Sequence, residues 1–260
     1  MTRLVDEHTA ASLVGAMSER SILVQPFGSV EQHGPHLPLA TDSIIVEAVA
    51  RALVERHGDE HDLWLLPALR YTKSDEHASF PGTVWLSATT MLAVVDDLAR
   101  SLAMLPARRL VFLNGHGGNS ALLNVACREV RRRYGLLTFL AHVHTAQGGG
   151  THEGEHGMGI HGGMEETSAM LHLRPELVDL GKLSARVPES LTRNRHVRFG
   201  GTVGFGWLAE DFGPDGHIGD PRRADAELGR RHFDAGVAAL GEAMGEVARF
   251  SFPIDTSGAS

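Results

Sequence analysis

Short apolar runs alternate along the chain with longer stretches in which apolar residues recur every three or four positions. Ser21-Ile22-Leu23-Val24-Gln25-Pro26-Phe27 and Leu110-Val111-Phe112-Leu113 are too short for helices and almost uninterrupted, the pattern of short buried strands. After the second run, Leu122, Leu123, Val125, Ala126 and Val130 recur at helical spacing, with Arg128, Arg131, Arg132 and Arg133 on the polar side. Read in this way, the chain gives strands at about 21–27, 64–69, 110–113 and 136–141 and helices at about 43–57, 89–104 and 120–133. A short helix is expected from about 166 and a long one over about 224–248, its Leu228, Val237, Leu240 and Val247 turned inward. The 182–222 stretch reads as irregular, and 192–220 carries no pattern that places it. Alternation of this kind predicts an α/β fold, a single three-layer α/β/α domain over residues 1–260 with a mostly parallel sheet.

Residues able to do chemistry gather at the ends of these elements. Glu31 and His33 stand two apart just after the first apolar run, so a strand continued through them would turn both side chains one way. Asp42 follows across a short proline-containing turn. Open α/β sheets place their sites at such strand ends. His116 lies in Asn114-Gly115-His116-Gly117-Gly118-Asn119, a strand-to-helix loop whose glycines admit a ligand close to the backbone. A phosphate cradle is the competing reading of that loop, but neither a Lys-Ser/Thr pair nor a spaced G-x-G-x-x-G accompanies it. His161-Gly162-Gly163-Met164-Glu165-Glu166-Thr167-Ser168 opens a helical stretch, with Glu166 either an acidic first-turn residue or a ligand. His152-Glu153-Gly154-Glu155-His156 fits the H-E-x-x-H spacing of zinc proteases, yet the glycines around and within it make a poor helix, which that motif requires. A glycine-rich loop over 148–163, lining or gating a pocket, is the better expectation.

With these residues in place, the chain resembles the creatininase family of metal-dependent amidohydrolases. The resemblance rests on E-x-H-G-x-H-L-P-x-x-T-D from Glu31 to Asp42, N-G-H-G-G-N from Asn114 to Asn119 and H-G-G-x-x-E-T-S from His161 to Ser168. Phe80-Pro81-Gly82-Thr83 adds a smaller match, and the likeness runs on to the Gly219-Asp220-Pro221 turn and the helix after it. It implies that Asp42 bridges two divalent ions, that Glu31 and His116 bind one and His33 the other, and that His161 carries a proton to the leaving nitrogen. Carboxylate and imidazole ligands without thiolates suit zinc, manganese or ferrous iron, one or two ions per chain. Creatininases carry Tyr-Glu where Gly117-Gly118 stand, and that glutamate is a ligand of the second metal. Here the second site is either weaker or completed by another carboxylate, Glu166 being the best placed. A tryptophan and a glutamate are also missing, at Gly157 and Ile160, so creatinine is not the expected substrate. His77, Gly117 and His156 are the candidate substrate contacts.

The expected activity is hydrolysis of a non-peptide or small cyclic amide C–N bond, with His161 and Glu166 as catalytic residues. A creatininase-fold peptidase or deformylase in cofactor or peptide maturation is the alternative, as is a metal-binding homologue without hydrolytic function. The formal charge of −8 disfavours nucleic acid as a partner, and no apolar run is long enough to span a membrane. One cysteine, Cys127, excludes an intrachain disulfide and reads as a buried inert thiol; with no signal sequence apparent, the cytoplasm is the expected location. The resemblance further implies a homo-oligomer, typically a hexamer, with 192–220 nominated to complete a neighbour's pocket.

Overall fold

A computed structural model of the chain describes residues 2–143 and 154–252. In chain order its regular elements are α1 (Ala10–Ala16), β1 (Ile22–Phe27), α2 (Thr41–His61), β2 (Leu63–Leu65), α3 (Ala88–Leu102), β3 (Arg109–Asn114), α4 (Ser120–Tyr134), β4 (Leu137–His142), α5 (Met164–Leu173), α6 (Glu189–Thr192) and α7 (Ala226–Arg249). The strands form one sheet in the order β2-β1-β3-β4, and every pairing is parallel.

The alternation of side chains along the central strands builds two cores. Ile22 and Val24 of β1 and Val111 and Leu113 of β3 join Val46, Val49 and Leu53 of α2, Met170 of α5 and Val237 and Leu240 of α7. Leu23, Phe27, Leu110 and Phe112 point the other way, onto Leu13 of α1, Met91 and Val95 of α3 and Leu123 and Val130 of α4. Helices therefore cover both faces, the three-layer arrangement the sequence pattern predicts.

Element boundaries differ where local chemistry overrides periodicity. The strand expected over 64–69 shortens to Leu63–Leu65, because Pro67 has no N–H to give the ladder. The Pro67 carbonyl instead accepts from Gln25 Nε2 at 2.9 Å, and Leu69 returns through an isolated bridge to Phe27. α1 carries too few apolar residues for its period to stand out; Thr9 caps it through Ser12 N, and Leu13 is its buried residue. α2 runs past its expected end to His61, where Asp62 takes a left-handed conformation (φ 52°). α5 starts at Met164, which puts Glu166 in its first turn.

The 182–222 stretch is irregular, as expected, but it is held in place. His161 bridges Ile218, Arg186 bridges Gly219, and Val197 bridges Val203. Phe199, Phe205, Trp207 and Phe212 pack together, with Trp207 and Phe212 centroids 5.1 Å apart. Arg132 and Arg133 lie on an exposed face of α4, paired with Glu129 and Asp96. Cys127 is half-buried rather than fully buried as expected, and burial pushes its thiol up to about 11. Among the described residues no helix is long and apolar enough to cross a membrane.

Candidate metal centre

Three loops leave the carboxyl edge of the sheet side by side because β1 lies between β2 and β3. The loop after β1 carries Glu31 and His33, the loop after β3 carries His116, and the chain after β2 carries Glu76 and His77. Asp42, in the first turn of α2, faces them from a helix N-terminus, where the helix dipole favours a carboxylate. The approach is close: a Cβ at Gly28 would lie 2.6 Å from Ser43 Cα. Glycine alone lets β1 pass so near the start of α2.

Glu31 and His33 are not an extension of β1, as the two-residue spacing had predicted. β1 ends at Phe27, and the loop doubles back so that Glu31 N bonds Leu39 O at 2.9 Å and His33 bridges Leu37. The two side chains still converge. His33 Nε2 lies 3.9 Å from Glu31 Oε1 and 3.1 Å from Asp42 Oδ1. On the other side of Asp42, Oδ2 lies 3.0 Å from His116 Nδ1, while His116 Nε2 is 3.3 Å from Glu31 Oε2. Glu166 Oε2 reaches His33 Nε2 at 4.0 Å and accepts from Gly162 N at 2.6 Å. His161 packs between His33 and His77, 4.2 Å from each ring centroid.

Three overlapping groups result in which one ligand atom per residue lies within 4.8 Å of the others: Glu31, Asp42 and His116; His33, His161 and Glu166; Glu31, His77 and His161. The chemistry of the donors fits divalent cations. Glu31 is fully buried, and neither of its carboxylate oxygens has a hydrogen-bond partner. What offsets its burial is the ring of imidazoles around it, His116 Nε2 at 3.3 Å and His77 Nε2 at 3.5 Å being nearest, a setting of buried negative charge that suits a cation. His33 Nδ1 donates to Glu31 O at 3.1 Å, which leaves Nε2 to face the carboxylates. Asp42 is steadied from outside by Ser29 Oγ at 2.7 Å.

Without a cation, protons take up the charge. Burial opposes a charged His33, but Asp42 beside it, with Glu166 and Glu31, pushes its pKa up to about 10. Burial opposes a charged His116 as well, and Glu31 and Asp42 hold it well above the usual imidazole range. Asp42 is held well below the carboxylate range against its burial, chiefly by His33 and His116. His161 is the opposite case. Burial, with His33 and His77 nearby, holds its pKa well below the ordinary value, so it is a neutral imidazole. Its Nε2 lies 2.6 Å from Gln32 O and donates to it; Nδ1, 3.7 Å from Glu31 Oε1, is then the free base.

The structure thus brings together Glu31, His33, Asp42, His77, His116, His161 and Glu166. His161, expected as a proton carrier, also stands among the residues able to offer a ligand atom. Gly117 borders open space next to His116. His156 is exposed, with φ 52°, and its carbonyl accepts from Arg198. Glu155 is buried, but it accepts from Met164 N and Asp220 N and so ties its loop to the start of α5. His152 and the first part of the 148–163 loop lie outside the described residues. Gly118 is more than a missing ligand: a Cβ there would overlap Glu76 Oε1 and His116 Nε2. Sequence reasoning missed Ser29, Gln32, Lys73, Glu76 and Trp207. Glu76 adjoins the candidate His77 and lies near the Phe80–Thr83 run, the two signals that marked its loop. Trp207, from the stretch nominated for a neighbour's pocket, sits edge-on to His77 of its own chain at 5.9 Å.

A family model described as creatinine amidohydrolase matches residues 6–244. A curated relative, "Mycofactocin precursor peptide peptidase" from Mycobacterium ulcerans (strain Agy99), is 40% identical over 219 residues, covering 82% of this chain and 80% of its own. A solved structure described as "Creatininase Mn" superposes with a TM-score of 0.73 at 27% identity, covering 95% of this chain and 98% of that one. A mutant creatininase of "Zn-Zn type" gives a TM-score of 0.72 at 27% identity, with 95% and 98% covered.

Proposed function

Because the chain belongs to the creatininase family, we infer that it is a divalent-metal-dependent hydrolase, and that the amide bond it cuts lies in a peptide. The observation that carries the metal is the cluster itself: Glu31 and Asp42, both buried, converge with His116 so that one ligand atom of each lies within 4.8 Å of the others. The peptide substrate is supported by the relative named as a precursor-peptide peptidase. Manganese and zinc, each named for a solved family member, are the first ions to test, with ferrous iron as the third.

Glu31, Asp42 and His116 would hold one ion, and His33, Asp42 and Glu166 a second. Such an ion lowers the pKa of water and polarises a carbonyl. The chain's own residues then divide the remaining work. His161, neutral and with Nδ1 free, takes a proton at that nitrogen and returns it to the leaving amine, which must be protonated to depart. The Gln32 carbonyl fixes its tautomer. Gln32 Nε2 also lies 3.0 Å from His77 Nδ1, which makes that nitrogen the acceptor and leaves His77 Nε2–H toward Glu31. Trp207 stands edge-on to His77 at the end of this wall of imidazoles. Gly117, facing open space beside His116, lets a substrate backbone approach.

Elemental analysis of purified protein, before and after chelation, tests the metal. Incubation of the reloaded protein with short peptides, formamides and lactams, read by mass spectrometry, tests the substrate. One to two ions per chain and peptide cleavage lost on chelation are expected. Cleavage of small cyclic amides with peptides untouched returns the substrate to the non-peptide class, and full activity after metal removal rejects the reading. Assembly as a homo-oligomer, a hexamer by family likeness, belongs to the same proposal and is read by sedimentation velocity.

A further inference from the structure

The chain after β2 delivers a carboxylate to the centre that none of these steps uses. Glu76 is 9% exposed, and its Oε2 accepts from Lys73 Nζ at 2.6 Å. Its other oxygen lies 3.7 Å from His116 Nε2. That nitrogen is surrounded by oxygens: Lys73 O at 2.9 Å, Glu31 Oε2 at 3.3 Å and Ser74 Oγ at 3.5 Å complete the set. A lone pair on Nε2 would face this ring of negative atoms, whereas a proton there is attracted by nearly all of them. Nδ1, on the opposite edge, faces Asp42.

We propose that Glu76, held by Lys73, is a positioning residue of the metal centre: it keeps the His116 proton on Nε2 and so presents Nδ1 to the cation. Lys73 acts twice, its carbonyl receiving the Nε2–H and its ammonium fixing the carboxylate behind it. Gly118 makes the arrangement possible. A Cβ there would overlap Glu76 Oε1 and His116 Nε2 and lie 2.9 Å from Lys73 O, so any other residue pushes the clamp off the imidazole. Outer partners that orient a metal-bound histidine in this way govern metal affinity without touching the ion.

This inference rests on the metal-centre reading, and its test separates the two. Zinc affinity is measured by chelator competition for the wild type and for Glu76→Gln, which keeps the shape and removes the charge. Zinc-loaded protein with 15N-labelled histidine reports which His116 nitrogen carries the proton. The expected result is a proton on Nε2 in the wild type and about a 10–100-fold loss of affinity in the variant. Glu76→Asp should recover part of that loss, with the unfolding temperature of the metal-free variants unchanged. A role confined to anchoring the loop would leave affinity and the nitrogen spectrum alone in Glu76→Gln. Should Glu76→Gln fail to fold, Lys73→Met carries the test, since it frees the carboxylate and keeps the carbonyl. Wild-type affinity in the charge-removed variant, or a wild-type His116 with its proton on Nδ1, overturns the proposal while the metal centre stands. A wild type that binds no zinc or manganese overturns both.

Discussion

At its N-terminal end α2 sets Asp42 against Glu31 and His116 in the interior of the protein; at its C-terminal end, fifteen residues and about 22 Å further on, His57, Glu60 and His61 share one face near the surface. Both groups have ligand atoms within 4.8 Å of one another. The far group even has the tidier spacing, with two imidazoles one helical turn apart and stacked within 4° of parallel. What separates them is solvation. Glu60 is 70% exposed to water, whereas Glu31 is fully buried and has only imidazoles to face. The imidazoles of the far group lie in a notch opened by Gly241 and Gly245, where the Arg249 guanidinium also reaches. A cation there would meet a resident positive charge, and the rings are accounted for by helix packing. Residue type and spacing nominate both groups; burial of the carboxylates sets the inner one apart.

The largest expected effect is at Asp42. Asp42→Ala should weaken binding of divalent ions by more than about 100-fold, beyond the range of outer-shell partners, because its two oxygens face both groups of ligands. His57→Ala with His61→Ala should keep the wild-type metal content. Elemental analysis after gel filtration checks both, and the reverse pattern would break the comparison.

His161→Ala sharpens it within the buried centre. Removal of a proton carrier should lower kcat by about 10²–10⁴-fold. Metal content decides how His161 acts, since its Nδ1 lies among the potential ligands: retained ions make it the acid and base, and loss of one ion makes it a ligand.

Acidity should separate the ends of α2 as well. In the metal-free protein His33 holds its proton up to about 10, and His116 is shifted the same way. A cation must displace those protons, so affinity should rise with pH by about tenfold per unit for each proton released. The stability sign follows from the same shift. The raised His33 pKa stabilises the metal-free fold fully below the unfolded value of 6.5, and this is lost as pH rises toward about 10. The metal-loaded protein should lack that decline. Thermal unfolding of both forms between pH 6 and 10 gives the answer, and a pH-independent affinity would contradict it.

The smallest effect expected is at Gly118. Gly118→Ala should cost about 1–3 kcal/mol through overpacking, or roughly 2–4 °C of unfolding temperature per kcal/mol. Calorimetry on the metal-free protein reads it. An unchanged unfolding temperature would mean that the Glu76 clamp moves aside freely.

Most of the fold was legible in the chain. Buried strands show as continuous apolar runs and covering helices as a three-to-four-residue period, so β1, β3, β4, α2, α3, α4 and α7 fell close to their expected places. The shortened β2 and the small α1 did not. A proline overruled the first, and the second has too few buried residues to leave a period. The ligand residues were legible because each sits in a dense motif at an element end. Glu76, Lys73 and Trp207 were not, since each reaches the centre from a loop whose own residues form no pattern.

The sequence by itself determined which residues can bind cations and which segments become strands and helices, because both depend on side-chain chemistry and local period. It also determined that Glu31, His33, Asp42 and His116 belong together, through motifs shared across a family. The tertiary structure decided the rest. The order β2-β1-β3-β4 sets three loops side by side, so Glu76 and His77 meet residues that lie about forty positions away in the chain. Burial decided that the Glu31 carboxylate lacks water while Glu60 keeps it. The bare Gly118 leaves room for the Glu76 carboxylate beside the Nε2 edge of His116. Solvation and proton placement are properties of neighbours in space, and a linear chain does not list those neighbours.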